Sequence, residues 1–70
     1  MAVVKVIELV GSSPEGWEAA TKNAVSVAAK TLRNIVGVDV TGHTATVKDG
    51  KIEEFRANVK IAFLVEEVAG

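Results

Sequence analysis

Apolar residues follow three rhythms along this chain. From Ala2 to Val10, β-branched side chains dominate and Lys5 and Glu8 fall on opposite faces. Such a run predicts a strand partly covered on both sides. Trp17, Ala20, Ala24, Val27/Ala28, Thr31/Leu32 and Ile35 then recur at steps of three and four. That stripe predicts an amphipathic helix, with Glu18, Lys22, Ser26, Lys30 and Arg33 on its polar face and Glu18–Lys22 as a favourable i,i+4 pair. Ser12 with Glu15 reads as a capping box. Ser13 before Pro14 at the first helical position reads equally well. Either start places the helix from near residue 13 to near Asn34.

From Val36 the period becomes two. Val36, Val38 and Val40 alternate with Gly37, Asp39 and Thr41, and Phe55 to Val65 alternate with Arg56 to Glu66. Asp49-Gly50 between them is a two-residue type I′ hairpin signal, because both positions need positive φ. With Lys48 opposite Lys51, the turn sets a register: Val40 faces Val59, Val38 faces Ile61 and Val36 faces Phe63 on one apolar face. On the other, polar face His43 meets Arg56, Thr41 meets Asn58, Asp39 meets Lys60, and Gly37 meets Ala62. A one-residue slip would mix the two faces. The fold class is therefore α+β, one domain spanning residues 1–70 in the order β-α-β-β, with the first strand paired to the last in a three-stranded antiparallel sheet wrapped around one helix. Val68-Ala69-Gly70 reads as a loose tail.

Composition narrows the partners. At 70 residues with no cysteine, the chain cannot rely on disulfides or thiolate zinc. A lone core of this size barely offsets the ordering entropy, and 49% of the residues are nonetheless hydrophobic, which points to a homo-oligomer. The formal net charge of -1 gives no bulk attraction to nucleic acid. No apolar run is long enough for a membrane helix, and Met1–Val10 lacks a secretory signal pattern, which makes the cytoplasm the expected location.

No catalytic set emerges. There is one His and no Cys or Tyr, and Ser12 and Ser13 are accounted for by capping. The Gly11–Gly16 segment could offer amides to an anion but has no P-loop lysine. Trp17 reads as core or subunit interface. Glu53 and Glu54, with Asp49 nearby, read either as a solvated hairpin end or as oxygen ligands for Ca²⁺ or Mg²⁺ completed by a symmetry mate, and Glu66–Glu67 carries the same two readings. The outer face of the hairpin 36–66 is the strongest candidate for small-ligand binding. Arg56 supplies a planar fork of donors, both His43 and Arg56 stack on rings, and small Gly37 and Ala62 leave a hollow beside that pair, with Asp39 and Asn58 as further candidate ligand contacts on the same face.

Val-Ile-Glu-Leu-Val-Gly-Ser-Ser-Pro-Glu-Gly-Trp-Glu-Ala-Ala (residues 6–20) and Glu-Phe-Arg-Ala-Asn-Val-Lys-Ile-Ala-Phe (residues 54–63), in this element order, resemble the dodecins. The resemblance implies a non-enzymatic shell of twelve subunits that binds flavins (riboflavin, FMN or FAD) in pairs at two-fold axes, for storage and photoprotection. It also marks two departures. Gly37 stands where flavin-binding members carry a stacking Trp, and Arg56 stands where they carry a Gln after the aromatic matched by Phe55. An aromatic pair adds about 0.5–1.5 kcal/mol beyond area burial, so the resemblance implies weakened flavin affinity. Members without that aromatic have been associated with calcium, which makes a calcium-binding shell, or a structural oligomer without a specific ligand, the alternatives.

Overall fold

The computed structural model describes the backbone of residues 2–67 and the side chains through Val65. The expected Glu66–Glu67 carboxylates and the Val68–Gly70 tail lie outside that range. The elements are β1 (Ala2–Ser13), α1 (Trp17–Ala28), β2 (Ile35–Lys48) and β3 (Lys51–Glu67). They form one antiparallel sheet in the order β1-β3-β2, so the last strand is central and β1 pairs with it as expected. The long hairpin draws the molecule out to 58 × 20 × 14 Å. No helix among the described residues is long and apolar enough to cross a membrane.

Both helix ends differ from the sequence expectation. The pairing of β1 runs on through Gly11, Ser12 and Ser13, opposite Ala57, Arg56 and Phe55, so neither serine caps the helix. Ser13 is buried, and its Oγ accepts a hydrogen bond from the Glu15 amide at 3.0 Å. Gly16 takes the N-cap position at φ 151°, a conformation that side chains strain, and its carbonyl accepts the first helical bond from Ala20 at 3.0 Å. At the other end, the amides of Thr31 and Leu32 both bond the Ala28 carbonyl, at 3.2 and 2.9 Å, and Asn34 turns into the left-handed region at φ 60°. The helix therefore ends six residues before Asn34. Leu32 from the connecting segment and Ile35 from the start of β2 still pack on the core, which is why the apolar stripe outlasts the helix. The expected Glu18–Lys22 pair is present at 3.3 Å on the solvated face.

The core is small and built mostly of small side chains. Ala57, Val59 and Ile61 of β3 are buried against Ala20, Ala24 and Ala28 of α1, with Ile7 and Leu9 packed at the margin. Gly11 sets the spacing. A Cβ there would collide with the Ala20 carbonyl oxygen and come within 2.8 Å of the Ala24 Cβ. The helix thus lies directly on β1 and β3, and it barely reaches β2. Val38 and Val40 point to the helix side, yet stay 44% and 41% exposed.

The hairpin register holds next to the turn and from Val40–Val59 to Gly37–Ala62, and shifts between those stretches and again at Val36. Lys48–Lys51, Val40–Val59, Asp39–Lys60, Val38–Ile61 and Gly37–Ala62 pair as the turn dictates, and Asp49 and Gly50 take φ 52° and 74°. Glu53, however, is an extra residue on β3 between Ile52 and Glu54, and Thr41 is an extra residue on β2 between Val40 and Gly42. The two bulges cancel, and the segment between them is displaced by one position. Asn58 therefore faces Gly42 instead of Thr41, and His43 faces Ala57 instead of Arg56. A third bulge at Val36 places Ile35, and not Val36, opposite Phe63.

Gly11→Ala should lower the urea midpoint, with a loss of stability of about 1–3 kcal/mol from overpacking. An unchanged midpoint would show that the helix does not rest on Gly11.

Candidate functional site

The outer face of the sheet, away from α1, carries an alternating row from each strand: Val4, Val6, Glu8 and Val10 from β1, Arg56, Asn58, Lys60 and Ala62 from β3, and Gly37 and Asp39 from β2. Gly37 and Ala62 are direct partners, and a Cβ on Gly37 would still be 4.0 Å from that of Ala62. The missing side chains leave a hollow of about 290 Å³, lined by Val6, Gly37, Val38, Asp39, Lys60 and Ala62. Its floor is apolar and its rim is charged. Lys60 sits between Asp39, its partner on β2, and Glu8, its partner on β1, with Nζ 4.0 Å from the Glu8 carboxylate.

The other expected residues lie further along. Asn58 borders a separate outer depression with Glu8, Val10 and Thr41, and its carbonyl accepts the Thr41 hydroxyl at 3.1 Å. Arg56 lies opposite Ser12 and Thr44, and its Nε donates to the Glu54 carboxylate at 3.3 Å. At about 3.4 Å per residue, Arg56 is roughly 20 Å from Ala62. Gly37 and Asp39 thus share one hollow, and Arg56 and Asn58 form a polar extension of the same face.

His43 is not on that face. The Thr41 bulge turns it to the helix side, where its ring stacks on Trp17 with centroids 5.6 Å apart. Trp17 also packs edge-on against Phe55 at 4.8 Å and donates its indole N–H to the Thr44 carbonyl at 2.9 Å. This aromatic knot pins the first turn of α1 to the hairpin. The sequence signal for it was Gly42, since a glycine inside a strand often marks a bulge.

Of the acidic candidates, Glu54 is engaged by Arg56, and Glu53 occupies the bulge. No group of three or more His, Asp or Glu side chains gathers among the described residues. The carboxylates among the described residues of one chain therefore do not by themselves make up a calcium site, which takes six to eight oxygens.

His43→Ala should shift the Trp17 emission maximum and cost about 0.5–1.5 kcal/mol of stability, the range for an aromatic contact. Unchanged emission would return His43 to the outer face.

The family model described as Dodecin matches residues 3–66. The dodecin of Thermus thermophilus is 37% identical over 65 residues, covering 93% of this chain and 94% of that protein. Among solved structures, the dodecin of Streptomyces coelicolor superposes with a TM-score of 0.90 at 34% identity, over 96% of each chain. A calcium-chelating calcium dodecin from Mycobacterium tuberculosis superposes with a TM-score of 0.81 at 30% identity, over 97% of each chain. Sequence, element order and superposition agree, and the chain belongs to the dodecin family.

Proposed function

We propose that this protein is a non-catalytic binding and storage protein that holds a flat, flavin-like ligand on the outer face of the β2–β3 hairpin and works as an assembly of several copies, a dodecamer by family resemblance. The observation that carries the reading is the hollow over Gly37 and Ala62, with its apolar floor and its Asp39–Lys60 rim. An apolar seat with a few polar groups to orient the ligand is the usual build of a small-molecule site. The ring rests on Gly37 and Ala62, and its polar tail runs towards Asn58 and Arg56. Flavin affinity is weak in this reading, because Gly37 offers no aromatic face. The only histidine is engaged with Trp17, and the chain has no Cys or Tyr, so in this reading Asp39 and Lys60 orient the ligand by charge and hydrogen bonding.

Riboflavin and FMN titrations followed by fluorescence quenching test the reading. Quenching should saturate at tens of micromolar protein. Gly37→Trp should tighten binding by about 2- to 12-fold, the equivalent of 0.5–1.5 kcal/mol per stacked ring. The first atom of the new side chain is free of clash, since a Cβ at that position meets only the Ala62 Cβ, at 4.0 Å. Absence of quenching in both proteins would remove flavins as the ligand.

The likeness to a calcium dodecin favours a second reading, in which carboxylates including Glu53 and Glu54 hold Ca²⁺. Because no three acidic groups gather within one chain among the described residues, such a site draws on more than one copy. Calorimetry with Ca²⁺ should then show a heat that the Glu53→Gln/Glu54→Gln double variant loses. Equal heats in both proteins exclude this patch, and no response to either flavin or Ca²⁺ leaves a structural assembly.

A further inference from the structure

Beside the Gly37–Ala62 hollow, the outer face holds a second depression of about 480 Å³, where Glu8 and Val10 of β1 meet Asn58 of β3 and Thr41 of β2. Thr41 is the extra residue of the β2 bulge, so Thr41 and Gly42 both lie against Asn58. The Thr41 hydroxyl is tied to the Asn58 carbonyl at 3.1 Å. The Asn58 side chain is half-buried and lies across Gly42, where an added Cβ would come within 3.2 Å of its Nδ2 and 3.9 Å of its Cβ and Cγ. Gly42 thus leaves the room that the carboxamide fills. Among the described residues, no hydrogen bond uses that carboxamide. Its donors and its acceptor are left for something else that enters the depression.

Charge decides what that can be. Glu8 is the one charged residue in the lining. Its side chain is 77% exposed, and the Lys60 ammonium is 4.0 Å away. A solvated pair at that distance is weak, so the carboxylate keeps its charge and its acceptors. An oxyanion would meet it as a like charge. A hydroxyl suits both groups, because it donates to the carboxylate and accepts from the amide. Glu8 pairs with Lys60, and Val10 pairs with Asn58, which makes Glu8 and Asn58 diagonal neighbours on one face. Such positions are about 7–8 Å apart, a gap that two adjacent hydroxyls bridge between the side-chain ends. Lys60 also rims the Gly37–Ala62 hollow, and it is about 7 Å along β3 from Asn58. A chain of a few carbons therefore reaches from one depression to the other.

We infer that this second depression is a subsite for an uncharged vicinal diol, so that the ligand of the outer face is a flat ring carrying a polyhydroxyl chain. Glu8 accepts from the diol, Asn58 donates to it, and Gly42 positions the carboxamide. This rests on the ligand reading above and adds which tail the ring carries and which residues hold it.

Riboflavin against lumiflavin, the same ring with a methyl in place of the chain, tests it by fluorescence quenching. Riboflavin should bind about 2- to 12-fold more tightly, the range of one net hydrogen bond. Asn58→Ala and Gly42→Ala should each bring riboflavin towards lumiflavin and leave lumiflavin unchanged. A variant that loses the wild-type far-UV dichroism is replaced by Glu8→Gln, with the same expectation. Equal binding of the two flavins by the wild type overturns the inference, and so does a folded variant that weakens both alike. Ribitol alone gives a readout free of the ring. At millimolar concentration it should move the Asn58 side-chain amide signals in an NMR spectrum, whereas inorganic phosphate should leave them in place. Signals that ribitol does not move also overturn the inference. If neither flavin quenches while ribitol acts, the ring reading fails and the diol subsite stands.

Discussion

The close approach of α1 to the sheet at Gly11 is the constraint on which the other features depend. With no side chain at Gly11, the Ala20 carbonyl and the Ala24 methyl sit directly on β1. Alanines at 20, 24, 28 and 57 keep the layer thin, and Val59 and Ile61 are the largest side chains it fully encloses. Packing at this density has little tolerance for added volume. A helix held this close and this short covers β1 and β3 and meets β2 only around Trp17, which leaves Val38 and Val40 on the helix side of β2 exposed and the opposite face of the sheet free of any covering element.

The hairpin bulges then divide the chemistry between the two faces. Glu53 and Thr41 each insert one residue, so the segment from Gly42 to Thr46 is displaced while the ladder on either side keeps its register. The result is a specialised pair of surfaces. His43, Trp17 and Phe55 form a knot on the helix side that ties α1 to the hairpin. The outer face keeps the Gly37–Ala62 hollow at one end and the Arg56–Glu54 pair further along. The candidate ligand hollow and the helix anchor thereby lie on opposite sides of the same two strands.

Much of this was legible in the residues. Strict alternation over Val38–Val40 and Val59–Ile61, joined by an Asp-Gly turn, defined the register where the side chains are patterned most regularly, and it located the Gly37–Ala62 hollow. The bulges were not legible, because two insertions that cancel leave the pattern intact at both ends; only Gly42 hinted at one. His43 was misplaced for that reason. The helix ends were misread because local capping chemistry at Ser12 and Ser13 yields to strand pairing with β3, and because Leu32 and Ile35 extend the apolar stripe from outside the helix. The family resemblance, drawn from residues 6–20 and 54–63, stands in the match over residues 3–66.

The proposed ligand seat is thus a hollow defined by what Gly37 lacks, on a face that the helix never reaches. A crystal structure of the protein grown with riboflavin tests it most directly. The account predicts ring density over Gly37 and Ala62, edged by Asp39 and Lys60. A ring lodged against Trp17 and His43 on the helix side would contradict it.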